Sequence, residues 1–241
     1  MQPLLEVIVL GAGDAGGAEA GGADRLEVVA DMDAGGLTPS VATFREIRTE
    51  TDLPLRVMLR ANDTFSTSGS ELSRLQGAAN QLAAAGADGF VLGFLGPTGG
   101  VDIAATESLI GEFDGLPWTF HRAIDHALDY DAAWADVRDL PGVDTVLTAG
   151  SARGVSSGLD ELCRRVSDDR RASLLAMAGG GLRPEHVPWL ARAGVGKFHV
   201  GSAVRPSGSW KAYVDAAMVR SWRTLLDDVY PIAPPEWNRR A

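Results

Sequence analysis

The sequence predicts a single (β/α)8 barrel, and three observations point to this fold class. The chain has 241 residues, and closed barrels of alternating strands and helices commonly reach about 250 residues as one domain. Short runs rich in Val, Leu and Phe alternate eight times with longer amphipathic stretches, which is typical of repeated β/α units. Gly-Ala-Asp recurs at 22–24 and 86–88, where a glycine can end a helix before the next buried strand. An open parallel sheet is the alternative, although it usually has fewer strands and less regular spacing.

Strands are predicted where the apolar runs are short, and helices where an amphipathic stretch follows. The predicted strands cover residues 4–10, 25–29, 55–59, 89–92, 118–121, 145–147, 173–177 and 197–200. The predicted helices cover residues 14–21, 41–49, 69–85, 103–113, 130–139, 158–167, 184–193 and 209–228. These elements place the barrel in residues 1–230 and leave residues 231–241, which contain three prolines, as a C-terminal tail.

Charge and cysteine content argue against several classes of function. The formal net charge is −10, whereas nucleic acids and anionic lipids bind clustered Lys and Arg. We therefore expect no nucleic-acid partner and no attachment to a membrane. The single cysteine, Cys163, excludes an intramolecular disulfide and a CxxC site. The first apolar run is far shorter than the roughly 20 residues of a membrane span, so we expect a cytoplasmic protein.

Charged residues within the predicted strands are the first candidates for a functional site. Glu6 lies in LLEVIVL and Glu27 in RLEVV, and a carboxylate in an apolar strand is costly unless it is paired. Arg25, Arg60 and Arg122 are available as partners, and a guanidinium can hold a carboxylate or a substrate anion through two hydrogen bonds. Glu6 and Glu27 are thus catalytic candidates and the three arginines are anion-binding candidates. A buried ion-pair network that only stabilises the barrel is the alternative.

The fifth predicted strand ends in Trp-Thr-Phe-His-Arg-Ala-Ile-Asp, which brings His121, Arg122 and Asp125 close together. A histidine beside a carboxylate can act as a general acid or base near neutral pH. We expect His121 to fill this role with Asp125 orienting its ring. A histidine in a strand that only packs is the alternative.

Glycines follow the last three predicted strands, at the end of the barrel where active sites of this fold lie. Loops after the seventh and eighth strands often bind phosphate through backbone amides, although glycines also simply permit tight turns. The predicted anion-binding positions in these loops are Thr148, Gly150, Gly179, Gly180, Gly181, Gly201 and Ser202.

No metal can be assigned from the residue types alone. The candidate metal ligands are His121, His199, Met58 and Met177. Soft Cu(I) prefers sulfur ligands and hard Mg²⁺ prefers carboxylates, while a methionine in a strand is more often part of the core.

Nine segments in order resemble the copper homeostasis protein CutC family: LLEVIV, GGADRLEVV, GGLTPS, LRVMLR, GADGFVLGFL, WTFHRAID, VDTVLTAGS, AMAGGGLRPEHV and KFHVGSA. The resemblance extends from Leu4 to about Ser202. It implies a TIM barrel, a cytoplasmic protein of copper homeostasis, and copper binding. It also implies that the site residues are Glu6, Arg25, Glu27, Arg60, His121, Arg122 and Asp125.

The sequence departs from the family pattern at two positions that concern copper. Family members commonly carry a cysteine two residues after each strand glutamate, and these thiols are the implied Cu(I) ligands. This chain has Ile8 and Val29 there, and Cys163 falls in a predicted helix.

Two functions therefore remain open at the level of sequence. The first is a copper-homeostasis protein without catalysis. The second is an isomerase-like or lyase-like enzyme that acts on a small anionic or phosphorylated substrate by proton transfer beside a carbonyl. An interaction scaffold has little support, but Trp210 and Trp222 in the last predicted helix favour a homo-oligomer.

Overall fold

Eight parallel strands close into a barrel in the computed structural model, which describes residues 2–230. Each strand pairs with its neighbours in chain order, and β1 pairs with β8. The strands are β1 (Leu4–Val9), β2 (Arg25–Val28), β3 (Leu55–Met58), β4 (Gly89–Leu92), β5 (Trp118–Phe120), β6 (Val143–Thr148), β7 (Ala176–Ala178) and β8 (Lys197–Val200). The predicted (β/α)8 barrel is confirmed.

Helices surround the barrel and connect successive strands. They are α1 (Ala12–Gly21), α2 (Val41–Glu50), α3 (Gly69–Ala84), α4 (Ile103–Ile110), α5 (Tyr130–Arg138), α6 (Val155–Asp168), α7 (Arg170–Leu175), α8 (Val187–Ala193) and α9 (Ala216–Val229). Within residues 2–230 no helix combines the length and the apolar character needed to cross a bilayer. The predicted tail, 231–241, lies outside the described residues.

Two of the predicted elements have wrong starts because a side-chain cap was missed. The predicted strand 173–177 overlaps α7, whose first turn is capped by the Asp169 carboxylate through the amides of Arg171 and Ala172. The last helix does not begin at residue 209, since Asp215 caps it and accepts bonds from the amides of Ala217 and Met218.

Successive side chains along each strand point alternately to the core between the sheet and the helices and to the inside of the barrel. Leu5, Val7 and Val9 of β1 pack in the main core between the sheet and the helices, whereas Glu6 and Ile8 face the inside of the barrel. The register places Glu6 beside both Arg25 and His199 and places Ile8 beside Glu27. The barrel interior therefore carries charged groups below an apolar layer.

The two tryptophans that favoured self-association do not form an exposed surface. Trp222 is buried on α9, and Trp210 precedes that helix and lines a cavity at the end of the barrel. A homo-oligomer stays a prediction without support from these two residues.

Candidate functional site

A cavity of about 640 Å³ opens at the carboxyl ends of the strands. Its volume suits a small molecule, since ligand pockets commonly span about 300–1,000 Å³. Several predicted site residues line this cavity: Glu27, Met58, Arg60, His121, Arg122, Gly180, Gly181, His199, Gly201 and Ser202. The remaining predicted residues, Glu6, Arg25, Asp125, Thr148, Gly150, Gly179 and Met177, are not among its lining residues. A direct contact with a ligand in this cavity is therefore unsupported for the second group.

Glu6, Arg25 and His199 form a hydrogen-bonded chain inside the barrel. The Glu6 carboxylate accepts a bond from Arg25 Nε at 2.5 Å and lies 2.8 Å from His199 Nδ1. Burial alone would raise the pKa of Glu6, but the charge of Arg25 and the bond with His199 lower that pKa to about 2. Glu6 is thus an ionised anchor, as its pairing with a strand arginine predicted.

Glu27 differs from Glu6 because it has no such anchor. Its Oε2 lies 3.6 Å from His199 Nε2, and its Oε1 is buried without a hydrogen-bond partner among residues 2–230. Burial, reinforced by the charge of Glu6, raises the pKa of Glu27 to about 7. The carboxyl can therefore hold or release a proton near neutral pH at the floor of the cavity.

His199 connects the two carboxylates. Burial opposes its charged form, but Glu27 and Glu6 outweigh this effect and raise the pKa of the imidazole above its ordinary value. With Nδ1 held by Glu6, the Nε2 side faces Glu27. A proton can thus reside on Glu27 or on His199, and the hydrogen bond with Glu6 fixes the orientation of the His199 ring.

His121 is neutral in this environment. Its Nδ1 accepts a bond from the amide of Ala123 at 3.2 Å, so the proton of the neutral ring sits on Nε2, which is buried without a partner among the described residues. Burial, followed by the positive charge of Arg60, lowers the pKa of His121 to about 3. A ring with this pKa is a poor general base at neutral pH but a competent hydrogen-bond donor.

The prediction that Asp125 orients His121 is wrong. The Asp125 carboxylate accepts bonds from Thr148 Oγ1 at 2.6 Å, from the Ala149 amide at 2.9 Å and from Arg122 Nε at 2.8 Å. A short 3-10 helix over Arg122–His126 turns this carboxylate toward the end of β6 instead of toward the imidazole. Asp125 and Thr148 therefore join two loops behind the cavity wall.

Arg122 retains a free donor at the wall of the cavity. Its Nε bonds Asp125 and its Nη2 bonds the carbonyls of Ser151 and Ala152, whereas Nη1 makes no hydrogen bond to any described residue. The guanidinium lies against Gly180, where a Cβ atom would approach Nη1 to 2.7 Å. Gly180 is therefore needed for this arginine to lie at the cavity wall.

Residues from two loops that line the cavity have backbone amides without a partner among residues 2–230. Those of Gly180 and Gly181 after β7, and of Gly201, Ser202 and Ala203 after β8, donate no hydrogen bond within the part of the chain that the structure describes. Amide donors beside an arginine favour a bound anion. Gly150 has another role, because its carbon packs against Gly158 of α6 at a distance that excludes a side chain.

The Arg60 guanidinium is hydrogen-bonded to backbone carbonyl oxygens. Its guanidinium donates to the carbonyl oxygens of Gly35 at 3.0 Å, Asp63 at 2.7 Å and Thr64 at 3.1 Å, and it lies over the Phe65 ring. These bonds tie the loop after β2 to the loop after β3. The predicted anion-binding role would require Arg60 to give up bonds that it already makes.

The candidate metal ligands do not converge. Within residues 2–230 no group of three or more His, Cys, Asp and Glu residues is arranged to hold a metal ion. Met177 Sδ lies 3.6 Å from the Arg25 guanidinium, which disfavours a second cation there. Met58 packs in an apolar cluster with Ile8, Val29 and Val91. Cys163 lies on α6 and is not among the residues that line the cavity.

Sequence reasoning missed a second buried ion pair, between Asp14 and Arg205. Arg205 is only 1% exposed and bonds both oxygens of Asp14, at 3.1 and 2.6 Å. Asp14 comes just after β1 and Arg205 just after β8, and these strands become neighbours only when the barrel closes. An acidic residue in the glycine-rich start of α1 was the available signal.

Comparison with known proteins agrees with the fold and the order of these residues. The sequence profile of the CutC family matches residues 4–204. A family protein CutC of Xanthomonas campestris is 36% identical over 199 residues, which is 81% of each chain. The copper homeostasis protein cutC homolog of Homo sapiens is 32% identical over 85% of this chain and 76% of its own length.

A solved structure provides an independent comparison of the fold. The crystal structure of a proposed copper homeostasis protein CutC from Streptococcus agalactiae superposes with a TM-score of 0.74 at 24% identity. The match covers 83% of this chain and 98% of that one. Because the family profile spans most of the barrel and the human relative exceeds 30% identity over most of this chain, the chain belongs to the CutC family.

Proposed function

We propose that this CutC-family chain is an enzyme that transfers a proton on a small anionic molecule bound at the carboxyl end of the barrel. The observation that carries the proposal is Glu27, a buried carboxyl at the cavity floor whose Oε1 has no partner within residues 2–230 and whose pKa is raised to about 7. A group that titrates near the working pH is suited to general acid–base catalysis. His199, held by Glu6, is positioned to exchange the proton with Glu27.

The cavity wall formed by Arg122 and the loops after β7 and β8 supplies donors for the anionic part of the ligand. Arg122 offers Nη1, and the loops after β7 and β8 offer the amides of Gly180, Gly181 and Ser202. Loops after the last two strands of such barrels often bind phosphate. We therefore assign the anion to this wall rather than to Arg25 or Arg60.

His121 receives a different role from the one its residue type predicted. Because its ring is neutral and its Nε2–H has no partner among described residues, it can donate a hydrogen bond to a substrate oxygen. Such a donor would stabilise negative charge that develops on a carbonyl oxygen when Glu27 removes a neighbouring proton. The arrangement favours an isomerase-like or lyase-like reaction.

Copper binding is the second function to test, because the human relative is named for copper homeostasis. The residues present do not fit a thiolate site for Cu(I). The positions that carry thiols in the family resemblance hold Ile8 and Val29, which pack together in an apolar cluster with Met58. A role in copper homeostasis would then depend on the small molecule rather than on a copper ion held by cysteine. We propose a cytoplasmic location, in keeping with the single cysteine.

The proposal is tested by following the Glu27 carboxyl and the exchange reaction together. Wild-type protein and Glu27→Gln would be labelled with 13C-glutamate, and the carboxyl signal missing from the variant assigns Glu27. We expect this signal to titrate near pH 7. Phosphorylated aldehydes and ketones of three to six carbons would then be incubated in D2O with each protein.

Deuterium should enter a carbon next to the carbonyl of at least one compound, and Glu27→Gln should slow this exchange by about 100-fold or more. Titration of Glu27 at its ordinary pKa, or exchange that the variant leaves unchanged, would overturn the assigned base. Glu71→Gln is a matched control, since Glu71 caps α3 on the surface.

A further inference from the structure

The cavity has two sides of different chemistry. One side, which we call the anion wall, consists of Arg122, Gly180, Gly181 and Ser202. The other side, the apolar wall, is formed by five lining residues whose side chains are wholly or largely apolar: Ile8, Val29, Met32, Met58 and Trp210. Glu27 lies at the floor and neighbours Ile8 across the strand pair. A ligand that fills the cavity therefore meets both walls.

The apolar wall is separate from the main core. Ile8, Val29, Met58 and Val91 form a cluster of their own, with Met32 and Trp210 packed against it. The main core lies between sheet and helices, so this cluster is not needed to attach a helix to the barrel. An apolar surface that faces a cavity is instead a place where a ligand can bury apolar area.

Trp210 is set in place by the Asp14–Arg205 pair. The Arg205 guanidinium lies 5.1 Å from the centre of the Trp210 ring and also donates to the carbonyls of Ala212 at 2.6 Å and Ile8 at 3.2 Å. The ring packs over Gly201, where a Cβ atom would approach Trp210 Cη2 to 2.5 Å. The wall is thus built in advance of binding, and Arg205 is its positioning residue.

We propose that the ligand of this site is a small anion that also carries an apolar group, with the anion on Arg122 and the apolar group on Ile8, Val29 and Trp210. This inference rests on the proposed function and names the class of its substrate. It makes Trp210 a specificity-determining residue. It also explains why Ile8 and Val29 are compatible with a binding site that lacks thiols.

The test is a series of phosphate monoesters whose binding is measured by calorimetry and 31P NMR. The probes are inorganic phosphate, methyl phosphate, butyl phosphate and phenyl phosphate. Each methylene buried on the apolar wall should tighten binding by about two- to fourfold. Phenyl phosphate should also bind more tightly than methyl phosphate, because its ring can contact Trp210.

Three variants separate the two walls. The double variant Ile8→Thr with Val29→Thr makes the wall more polar and shortens only the side chain at position 8, by one heavy atom, and Trp210→Ala removes the ring. Both should flatten the dependence on chain length while leaving inorganic phosphate within about twofold of wild type. Arg122→Gln should weaken every probe by a similar factor and leave the dependence on chain length intact.

The outcomes distinguish this inference from the proposed function. Phosphate binding without a gain along the series, or a gain that the apolar variants do not reduce, overturns the apolar ligand class and leaves the anion wall in place. If none of the four probes binds, both the ligand class and the assigned anion wall are overturned. The NMR titration of the Glu27 carboxyl does not depend on either result.

Discussion

Two buried charge networks lie at the same end of this barrel, and they differ in how completely their carboxylate oxygens are bonded. Both Asp14 oxygens bond Arg205, and they also accept the amides of Leu10 at 2.8 Å and Val214 at 2.9 Å. The network around Glu27 ends instead in an oxygen with no partner among the described residues. Both carboxylates are removed from water, but only Asp14 has a donor on each of its oxygens, whereas Nε of Arg205 is buried without a partner among the described residues.

This difference separates structural charges from functional ones. A buried carboxylate with donors on both oxygens can hold a fold, and removal of its charge leaves the paired cation uncompensated. A buried carboxyl oxygen left without a hydrogen-bond partner is destabilising, and an altered pKa at such a group marks a candidate functional residue. The same contrast distinguishes Arg60, which is saturated by carbonyl oxygens, from Arg122, which keeps a free nitrogen.

The largest effect is expected when the Asp14–Arg205 pair is broken. Asp14→Asn should lower the free energy of unfolding by about 3–5 kcal/mol, because Arg205 would remain buried without its counter-charge. Urea unfolding followed by circular dichroism measures this change. The double variant Asp14→Asn with Arg205→Met removes both charges and should recover part of the loss. A loss below about 1 kcal/mol in the single variant would contradict a structural role.

Removal of the Glu27 carboxyl should instead raise the free energy of unfolding at high pH. The pKa of Glu27 is raised to about 7 from an ordinary value of 4.5, so the folded chain binds a proton more tightly than the unfolded chain does. The stabilisation from this proton is present at low pH and is lost as pH rises through about 7. At pH 8 wild type keeps an unfavourable buried charge that Gln does not have.

The free energy of unfolding of Glu27→Gln should therefore exceed that of wild type by about 1–3 kcal/mol at pH 8 and should nearly equal it at pH 5. Urea titrations at the two pH values measure the difference. A variant that is less stable than wild type at both pH values would place Glu27 with Asp14 as a structural residue. The contrast between a structural Asp14 and a functional Glu27 would then no longer hold.

The two arginines provide a smaller test of the same contrast. Arg60→Met should lower the free energy of unfolding by about 1–3 kcal/mol, because the carbonyls of Gly35 and Asp63 lose a charged donor. Arg122→Met should cost less, since the side chain is 28% exposed and one nitrogen is free. Thermal unfolding of both variants gives the ranking. Equal losses would show that the free nitrogen does not mark a functional arginine.

The sequence was sufficient to predict the barrel and part of the site for a definite physical reason. Apolar runs of fixed spacing determine where strands can be buried, and a carboxylate within such a run requires a cation, as Glu6 and Arg25 show. Both features are local along the chain. The cavity position of Glu27 followed from the same pattern, because the ends of parallel strands meet at one face.

The missed features depend on contacts between distant residues or on the geometry of one turn. Arg205 meets Asp14 across 191 positions of sequence, and this contact holds residues near 209–215 out of the predicted helix. The turn after β5 points Asp125 away from His121, although the two are only four positions apart. Spacing alone does not reveal which of several polar neighbours a side chain will choose.

The smallest expected effect concerns copper, and it tests what replaced the thiols. Competitive titration of the metal-free protein with Cu(I) under anaerobic conditions, against a chelator, should show no stoichiometric tight binding. Ile8 and Val29 offer no donor atom, Met58 supplies one thioether in an apolar cluster, and Met177 lies beside Arg25. His121→Ala should therefore leave the titration unchanged.

The double variant Ile8→Cys with Val29→Cys is the matched positive control, since it places two thiols on neighbouring strands at the cavity. Tight binding by wild type that is lost in His121→Ala would instead make imidazole a copper ligand, and the unpartnered Nε2 of His121 would then serve a metal rather than a substrate oxygen.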